Sequence, residues 1–436
     1  MENRRAKLEI AILGAVTFAA LLASYSAFRP VRDALILDGD MDQIPWLFLA
    51  TFAAVSVVSP MWSAFLAKHS RPRSVPLAFH VFAVCEVGFF LAVRSPLDKI
   101  SVGHVFYVWS AVFNLFVVSV FWSLLADLLG PGIAKQLYGP IAAGGTVGTM
   151  IGPLLTKLLV GTIGPAGVLL MSAGLLEFAV IGVYGVRRAA ARLDRDPGRD
   201  PGPARPERSE RPVRPIRPVR DDQPEAPAGG GAFTGIAHVG KSPYLSAIVG
   251  YVLCTSCVAT FLYFQQAGIV KAAIVDRAAR TEYFATVDLC MSGLTLILQT
   301  LIARPALGRF GPGLVLMVLP LTQLTGLSIL AAAPSLAVLA VVQVIGRATT
   351  HGLTRPAREL LFTVVSRDEK YRAKNAIDTI GYRFGDLLSS WLQKGLVAVG
   401  GVTAVVGGAL PIAAIWLGFA FILGAGFRRR VTKEPA

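Results

Sequence analysis

The chain has 436 residues, of which 54 % are Ala, Val, Ile, Leu, Met, Phe, Trp, Tyr or Cys and only 16 % are charged. A soluble domain carries roughly 25 % charged residues. With a mean hydropathy of +0.59, the chain has more apolar surface than one or two water-soluble cores can bury. This composition excludes a disordered chain, a disulfide scaffold and an ordinary soluble enzyme, and it predicts a polytopic membrane protein.

Twelve segments meet the requirement for a membrane helix, which is about 20 mainly apolar residues. The first follows basic residues, as in a signal peptide, but its apolar run is too long for one and has no clean cleavage site. We therefore predict an all-α membrane protein with twelve transmembrane helices. The predicted spans, numbered 1 to 12, are residues 8–35, 44–67, 76–94, 102–128, 136–160, 165–186, 243–265, 281–303, 313–332, 336–354, 376–396 and 405–426.

The net charge of +15 follows the predicted topology. Twelve spans place both termini on one side of the membrane, and 31 of the 42 Lys and Arg residues lie on that side against five on the other. Cytoplasmic loops carry such an excess. We therefore predict a multi-pass protein in the lipid bilayer of a bacterial inner membrane, with both termini cytoplasmic and with no nucleic-acid partner. The first loop on the opposite side, Asp38–Asp42, is acidic.

The spans repeat at an offset of about 236 residues, so that span 1 corresponds to span 7 and span 6 to span 12. We predict an N-terminal six-helix bundle over residues 1–186, a basic and Pro-rich disordered linker over 187–241, and a C-terminal six-helix bundle over 242–436. Spans 5 and 11 also share small residues at every fourth position, where helices approach closely. These residues are Gly144, Gly148 and Gly152 in span 5, and Gly381, Gly385 and Ser389 in span 11.

Two six-helix repeats joined by a cytoplasmic loop resemble the architecture of the major facilitator superfamily. Folds built from such repeats hold their substrate between the halves, near the middle of the membrane. Polar residues inside the predicted spans are therefore the candidates for the functional site.

Span 1 ends with three charged residues on one helical face, Arg29, Arg32 and Asp33. A charge inside the bilayer costs about 2.5–3.5 kcal/mol on insertion scales, so each calls for a partner or a function. Asp33 follows Arg29 by four residues, which predicts that these two pair and leave Arg32 over. Because guanidinium suits phosphate and carboxylate, we predict that Arg32, together with Arg29, binds an anionic substrate. The alternative is a pair that snorkels to the interface.

Span 11 carries three more charged residues. The spacing of Arg383 and Asp386 allows an ion pair, which either breaks as the halves move or is static and structural. Asp378 lies near the cytoplasmic end of the span, where it is either a gating residue or an interface residue. We assign Arg383 to the candidate substrate-binding residues and both aspartates to the candidate gating or coupling residues.

Five further polar residues lie in or at the ends of other spans. Asn114 in span 4 either contacts substrate or hydrogen-bonds to a neighbouring helix. Arg347 in span 10, the counterpart of span 4, is a second candidate for binding the anion. Asp127, at the cytoplasmic end of span 4, either caps the helix or latches a gate. Glu86 and Glu177 lie midway along spans 3 and 6, and each is a candidate for carrying a coupling proton.

The five His residues are scattered, and all four Cys residues lie inside predicted spans. No nucleophile–base or metal-ligand spacing results. We therefore expect neither an enzyme nor a bound cofactor or metal. We also expect the carrier to work as a monomer.

Three segments resemble the ATP/ADP translocase family, the nucleotide transporters of plastids and intracellular bacteria, and above all its bacterial relatives. These segments are Phe28–Leu35, Asn114–Gly145 and Lys370–Gly385. The resemblance implies a twelve-helix carrier that exchanges nucleotides without hydrolysing them, with Arg29, Arg32 and Asp33 on the family's basic motif. The chain departs from the nucleotide exchangers at Ser110, where they have Glu, and at Asp386, where they have Lys. The missing cation weakens the case for a polyphosphate substrate.

The sequence thus predicts a secondary active transporter that moves a small organic anion by alternating access. A nucleotide, exchanged as in ATP/ADP antiport, is the candidate that the resemblance implies. Two alternatives remain at this point: a sensor or partner subunit that does not transport, and an integral membrane enzyme acting on a lipid-linked substrate.

Overall fold

The computed structural model of the chain describes residues 2–68, 71–194, 242–365, 377 and 381–432. Across these ranges the regular structure is entirely helical. Residues 195–241 of the predicted linker lie outside the described residues, and so does the candidate gating residue Asp378.

Eleven α-helices account for most of the described residues. They are α1 (Glu2–Ile36), α2 (Ile44–Lys68), α3 (Arg71–Arg94), α4 (Lys99–Leu128), α5 (Pro131–Asp194), α6 (Pro243–Ala273), α7 (Arg277–Ile297), α8 (Ala303–Ala332), α9 (Leu336–Thr349), α10 (Arg355–Leu361) and α11 (Tyr382–Val431). One π-helical turn, Leu298–Ile302, joins α7 to α8, and another, Thr350–Thr354, joins α9 to α10. Asp98 and Asp276 cap α4 and α7 by accepting hydrogen bonds from backbone N–H groups of their first turns.

Three of these helices are broken at a glycine with a positive φ, namely Gly164 (φ 70°), Gly311 (φ 71°) and Gly401 (φ 64°). The helical stretch Gln136–Leu193 contains 58 residues, or about 87 Å of helix, whereas the hydrocarbon core is about 30 Å thick. Because glycine adopts positive φ without steric cost, these positions allow the chain to turn back. Divided at the three glycines, the helices of the described residues are consistent with the twelve predicted spans.

By length and composition, nine helical stretches in the described residues are suited to crossing a membrane. Their limits extend beyond several of the predicted spans, and two connections are affected most. Helix α5 continues to Asp194, past the predicted start of the linker at residue 187. The connection between spans 8 and 9 is helical as far as Gly311, because the π-helical turn continues α7 directly into α8.

Close packing of α1 against α5 organises the first half of the chain. A Cβ placed on Gly144 or Gly148 would lie 2.2 Å from the carbonyl oxygen of Ala15 or Ala19. No side chain fits that space, so glycine is required for this approach of the two helices. The predicted small-residue stripe of span 5 is confirmed. In the second half, Gly385 of α11 lies against Ser256 of α6.

The two termini lie at the same end of the molecule. Arg430, near the end of α11, stacks on the ring of Tyr244, at the start of α6, with 4.5 Å from its guanidinium carbon to the ring centroid. Helices α1 and α6 both run from this end to the opposite one, where Lys271 of α6 donates to the carbonyl of Gly39 at 2.7 Å. We call these the terminal end and the distal end of the molecule.

Candidate functional site

Helices α1, α7 and α9 bring two arginines and one aspartate together where the halves of the chain meet. Arg29 of α1 donates from Nε to Oδ2 of Asp288 at 2.8 Å, and its guanidinium also forms an ion pair with Oδ1. Arg347 of α9 donates to Oδ1 of the same carboxylate at 2.8 Å. Arg29 belongs to the first half, and Asp288 and Arg347 belong to the second. We call these three residues the central cluster.

Asp288 and Arg347 of the central cluster lie at about the same depth from the distal end. Asp288 follows Arg277, the first residue of α7, by eleven residues, which is about 16 Å of helix from the distal end. Arg347 follows Leu336, the first residue of α9, by the same number. A depth of about 16 Å is half of a hydrocarbon core about 30 Å thick.

The three side chains of the central cluster differ in exposure. The Asp288 side chain is 5 % exposed, whereas those of Arg29 and Arg347 are 19 % and 32 % exposed. The carboxylate is therefore enclosed, and the two guanidinium groups keep surface that a third group can contact. Two cations around one anion leave a net charge of +1, so the cluster attracts a further anion.

Sequence reasoning identified Arg29 and Arg347 but missed Asp288, the residue that joins them. The available signal was a carboxylate well inside predicted span 8, which is costly in a membrane unless it is paired. Its two partners are 259 and 59 residues away along the chain, so spacing within one helix does not reveal them.

The predicted ion pair between Arg29 and Asp33 is wrong. Asp33 instead accepts hydrogen bonds from its neighbour Arg32, at 2.9 Å from Nε and 2.6 Å from the terminal nitrogen. The guanidinium of Arg32 also lies over the ring of Tyr107 in α4, at 5.2 Å. Arg32 is therefore not left over, because Arg29 turns across the interface to Asp288 and leaves Asp33 available to it.

The other predicted substrate-binding residues do not join the central cluster. Asn114 is half-buried in α4 and forms no hydrogen bond with Arg29, Asp288 or Arg347. Arg383 is half-buried in α11.

The predicted gating and coupling residues are also dispersed. Asp386 accepts a hydrogen bond from Ser256 of α6 instead of pairing with Arg383. Asp127 is exposed near the end of α4. Glu177 pairs with His80 at 2.8 Å, on a partly exposed face of the first half. Asp378 lies outside the described residues.

Glu86 differs from those residues because it is completely buried in α3. Its polar neighbours are the hydroxyls of Ser24 and Ser172, which carry no charge. A buried carboxylate without a cation beside it is disfavoured in its charged form, so such a group is held neutral or moves a proton.

A second set of ionic contacts joins the halves at the distal end. Asp38 of the acidic first loop binds Arg277 at 3.0 and 2.6 Å and Arg280 at 3.1 Å. Beside it, Lys271 donates to the carbonyl of Gly39 at 2.7 Å. We call these residues the distal latch. Because these contacts cross from the first half of the chain to the second, the latch holds the distal end closed.

Replacing Asp38 by Asn is expected to loosen the distal end. The substitution removes both ion pairs of Asp38, and a partly exposed pair contributes up to about 1 kcal/mol, or roughly a fivefold shift between closed and open forms. Pairs of spin labels on the exposed positions Leu97 and Val275 report the separation of the two halves. We expect a larger fraction of long distances in Asp38→Asn than in the parent chain. The matched control is Asp40→Asn, since Asp40 is exposed in the same loop; identical distances in both variants would show that the latch does not hold this end.

Comparisons with known proteins identify the family of this chain. Residues 10–275 match the family model described as Major Facilitator Superfamily. No curated protein matches the chain. Among solved structures, the chain is similar to a bacterial homologue of the iron transporter ferroportin in its inward-facing state, at 12 % identity and a TM-score of 0.63, over 95 % of this chain and 98 % of that one.

A second solved structure with a similar fold is the nucleoside transporter NupG, at 13 % identity and a TM-score of 0.61, over 98 % of this chain and all of that one. At these identities the likeness concerns the fold and not the substrate. Because the family model covers more than half of the residues, this chain belongs to the major facilitator superfamily and is a membrane transporter, not an enzyme.

Proposed function

We propose that the chain moves a small organic anion across a bacterial inner membrane by alternating access, and that Arg29 and Arg347 bind the anion. The observation that carries this proposal is the sharing of one carboxylate by two guanidinium groups from opposite halves of the chain. Both termini are proposed to face the cytoplasm, as the distribution of Lys and Arg supports. A single chain supplies every residue of the central cluster, which supports a monomeric carrier.

Asp288 acts in this proposal as a stand-in for the substrate. In the empty carrier its two oxygens accept the hydrogen bonds of Arg29 and Arg347. An incoming phosphate or carboxylate also has negatively charged oxygens that accept hydrogen bonds from these donors. Guanidinium binds such groups bidentately. The substrate therefore takes the donors of Arg29 from Asp288 and binds the remaining donors of Arg347, so that Asp288 stays paired with Arg347.

The same arrangement favours exchange over net transport. The contact between Arg29 and Asp288 ties the first half to the second, and the halves of such a carrier must rock against each other for the site to change sides. When an anion takes over Arg29, it weakens that tie. A carrier that changes sides readily only when loaded exchanges one anion for another, so we propose an antiporter.

A nucleotide is the specific candidate that the resemblance to the ATP/ADP translocase family suggests. Arg29 and Arg347 supply two cations at one point, which suits one phosphate or carboxylate group. Smaller phosphate esters and carboxylates are therefore tested beside ATP and ADP.

The burial of Glu86 favours a second mode of energy supply. A completely buried carboxyl whose polar neighbours are the uncharged hydroxyls of Ser24 and Ser172 is suited to carrying a proton in one direction of the cycle. In that case the anion enters with a proton and needs no internal anion.

The experiment uses purified full-length protein in liposomes, either empty or loaded with unlabelled ATP and ADP, phosphate or malate. Uptake of the labelled form of each anion is measured with and without a pH gradient. We expect at least one anion to be taken up several times faster into loaded than into empty liposomes. Equal uptake into both, dependent on the pH gradient, would replace exchange by proton coupling. No uptake of any of these anions by correctly inserted protein would contradict the proposed function.

A further inference from the structure

A second polar site lies in the C-terminal half, between the central cluster and the terminal end. It is a cavity of about 290 Å³ bounded by α6, the π-helical turn after α9, α10 and the start of α11. Eight residues of the described part of the chain line it; all eight carry polar side chains, and none of them is acidic. They are Tyr251, Thr255, Thr350, His351, Thr354, Arg355, Arg358 and Tyr382.

The basic residues of this cavity continue the helical face that carries Arg347. His351 follows Arg347 by four residues and Arg355 follows by eight, with Arg358 three residues further on. Residues at these intervals lie on one side of a helix. Arg355 is about 12 Å along the helix from Arg347, in the direction of the terminal end. An anion that leaves Arg347 towards that end therefore passes His351 and reaches the two arginines.

The walls of the cavity hold polar groups that are already fixed in position. Arg358 is only 5 % exposed; it donates to the hydroxyl of Tyr382 and lies over the ring of that residue at 5.2 Å. Thr354 is 4 % exposed, and its hydroxyl lies beside that of Tyr251, which donates to the carbonyl of Leu316 at 2.9 Å. Polar groups that are already held in position lose little side-chain entropy when a ligand binds to them.

The size of the cavity limits what it holds. Pockets for drug-sized ligands are about 300–1,000 Å³, so a cavity of about 290 Å³ takes one small group and not a whole nucleotide. Two arginines, an imidazole and a threonine hydroxyl are donors to oxygen. The group that they suit is an oxyanion, either phosphate or carboxylate.

We propose that this cavity is a second oxyanion-binding site, which holds the phosphate or carboxylate group of the transported anion between the terminal end and the central cluster. The inference rests on the proposed function and adds a binding step to it. Arg355, which is exposed at the cavity, meets the anion first, and Arg358 and Thr354 bind it inside.

The test measures the charge of the cavity directly and requires no transport. The four native cysteines, Cys85, Cys254, Cys257 and Cys290, all free, are replaced by alanine, and Thr350 in the cavity wall is replaced by cysteine. The rates at which a negatively and a positively charged methanethiosulfonate reagent modify this cysteine are measured, each relative to a free thiol. We expect the negative reagent to be favoured at least about fivefold, and inorganic phosphate to slow both reagents at least about threefold.

Three variants assign the effect to the cavity. Arg355→Gln is expected to remove most of the preference for the negative reagent, and Arg355→Lys is expected to keep it. Arg309→Gln removes one positive charge from an exposed position of α8 outside the cavity and is expected to change nothing. Equal rates for the two reagents, or no effect of Arg355→Gln, or no protection by phosphate, would each overturn the second site.

The two proposals fail in different ways. Charge selectivity and phosphate protection at Thr350→Cys, in protein that takes up no anion, would contradict the proposed function and leave the cavity site standing. Anion uptake that depends on Arg29, in protein without charge selectivity at Thr350→Cys, would contradict the cavity site alone.

Discussion

Replacing Arg29 by Gln is expected to lower anion uptake about 100-fold or more. Removing one partner of a buried, charge-assisted contact costs about 2–5 kcal/mol, and each 1.4 kcal/mol is a factor of ten in an equilibrium constant. The lost guanidinium is the only member of the central cluster from the first half of the chain. Without it, a bound anion contacts only Arg347, in the second half of the chain.

The folded structure is expected to tolerate this change, because Asp288 keeps Arg347 as a partner at 2.8 Å. The matched variant Arg29→Lys keeps the charge but loses the planar fork, so we expect an intermediate loss of about tenfold. Size-exclusion profiles and unfolding temperatures of the purified proteins control for misfolding. If Arg29→Gln takes up anion within twofold of the parent chain, the assignment of the anion site to the central cluster is wrong.

The architecture is predictable from the sequence because it depends on local composition. Runs of about 20 apolar residues mark the helices, and the four-residue spacing of Gly144 and Gly148 marks the surface that packs against α1. The turns at Gly164 and Gly311 are each a Gly-Pro pair between two apolar runs. The helical path through Arg304 was not predicted, because a basic residue between two apolar runs is equally typical of a loop.

The central cluster is only partly predictable, for the reason that its contacts are long-range. Arg29 and Arg347 are found because a charge in an apolar helix is costly and therefore conspicuous. Which carboxylate pairs with Arg29 depends on the tertiary structure. Asp33 is one helical turn away, yet Arg29 pairs with Asp288 on another helix. Spacing favoured the near carboxylate. The fold favours the far one, because Asp288 is enclosed at 5 % exposure and depends on two cations, whereas Asp33 has Arg32 beside it.

Replacing Asp288 by Asn is expected to convert the exchanger into a carrier that also moves anion without a counter-anion. The amide has nearly the shape of the carboxylate but no charge and only one acceptor oxygen, so the ion pairs to Arg29 and Arg347 are lost and only the amide oxygen still accepts a hydrogen bond. The tie between the halves in the empty carrier is weakened, and each 1.36 kcal/mol removed from its reorientation barrier raises the rate tenfold. Without the negative charge of Asp288, the positive charges of Arg29 and Arg347 attract the transported anion more strongly, so the anion binds more tightly.

The quantity that reports this change is the ratio of initial uptake into anion-loaded liposomes to that into empty ones. We expect the ratio to fall at least about fivefold in Asp288→Asn, towards one, and the concentration of anion at half-maximal uptake to fall with it. Asp288→Glu retains the charge and is expected to keep the ratio of the parent chain. A ratio in Asp288→Asn as high as in the parent chain would show that Asp288 does not hold the empty carrier.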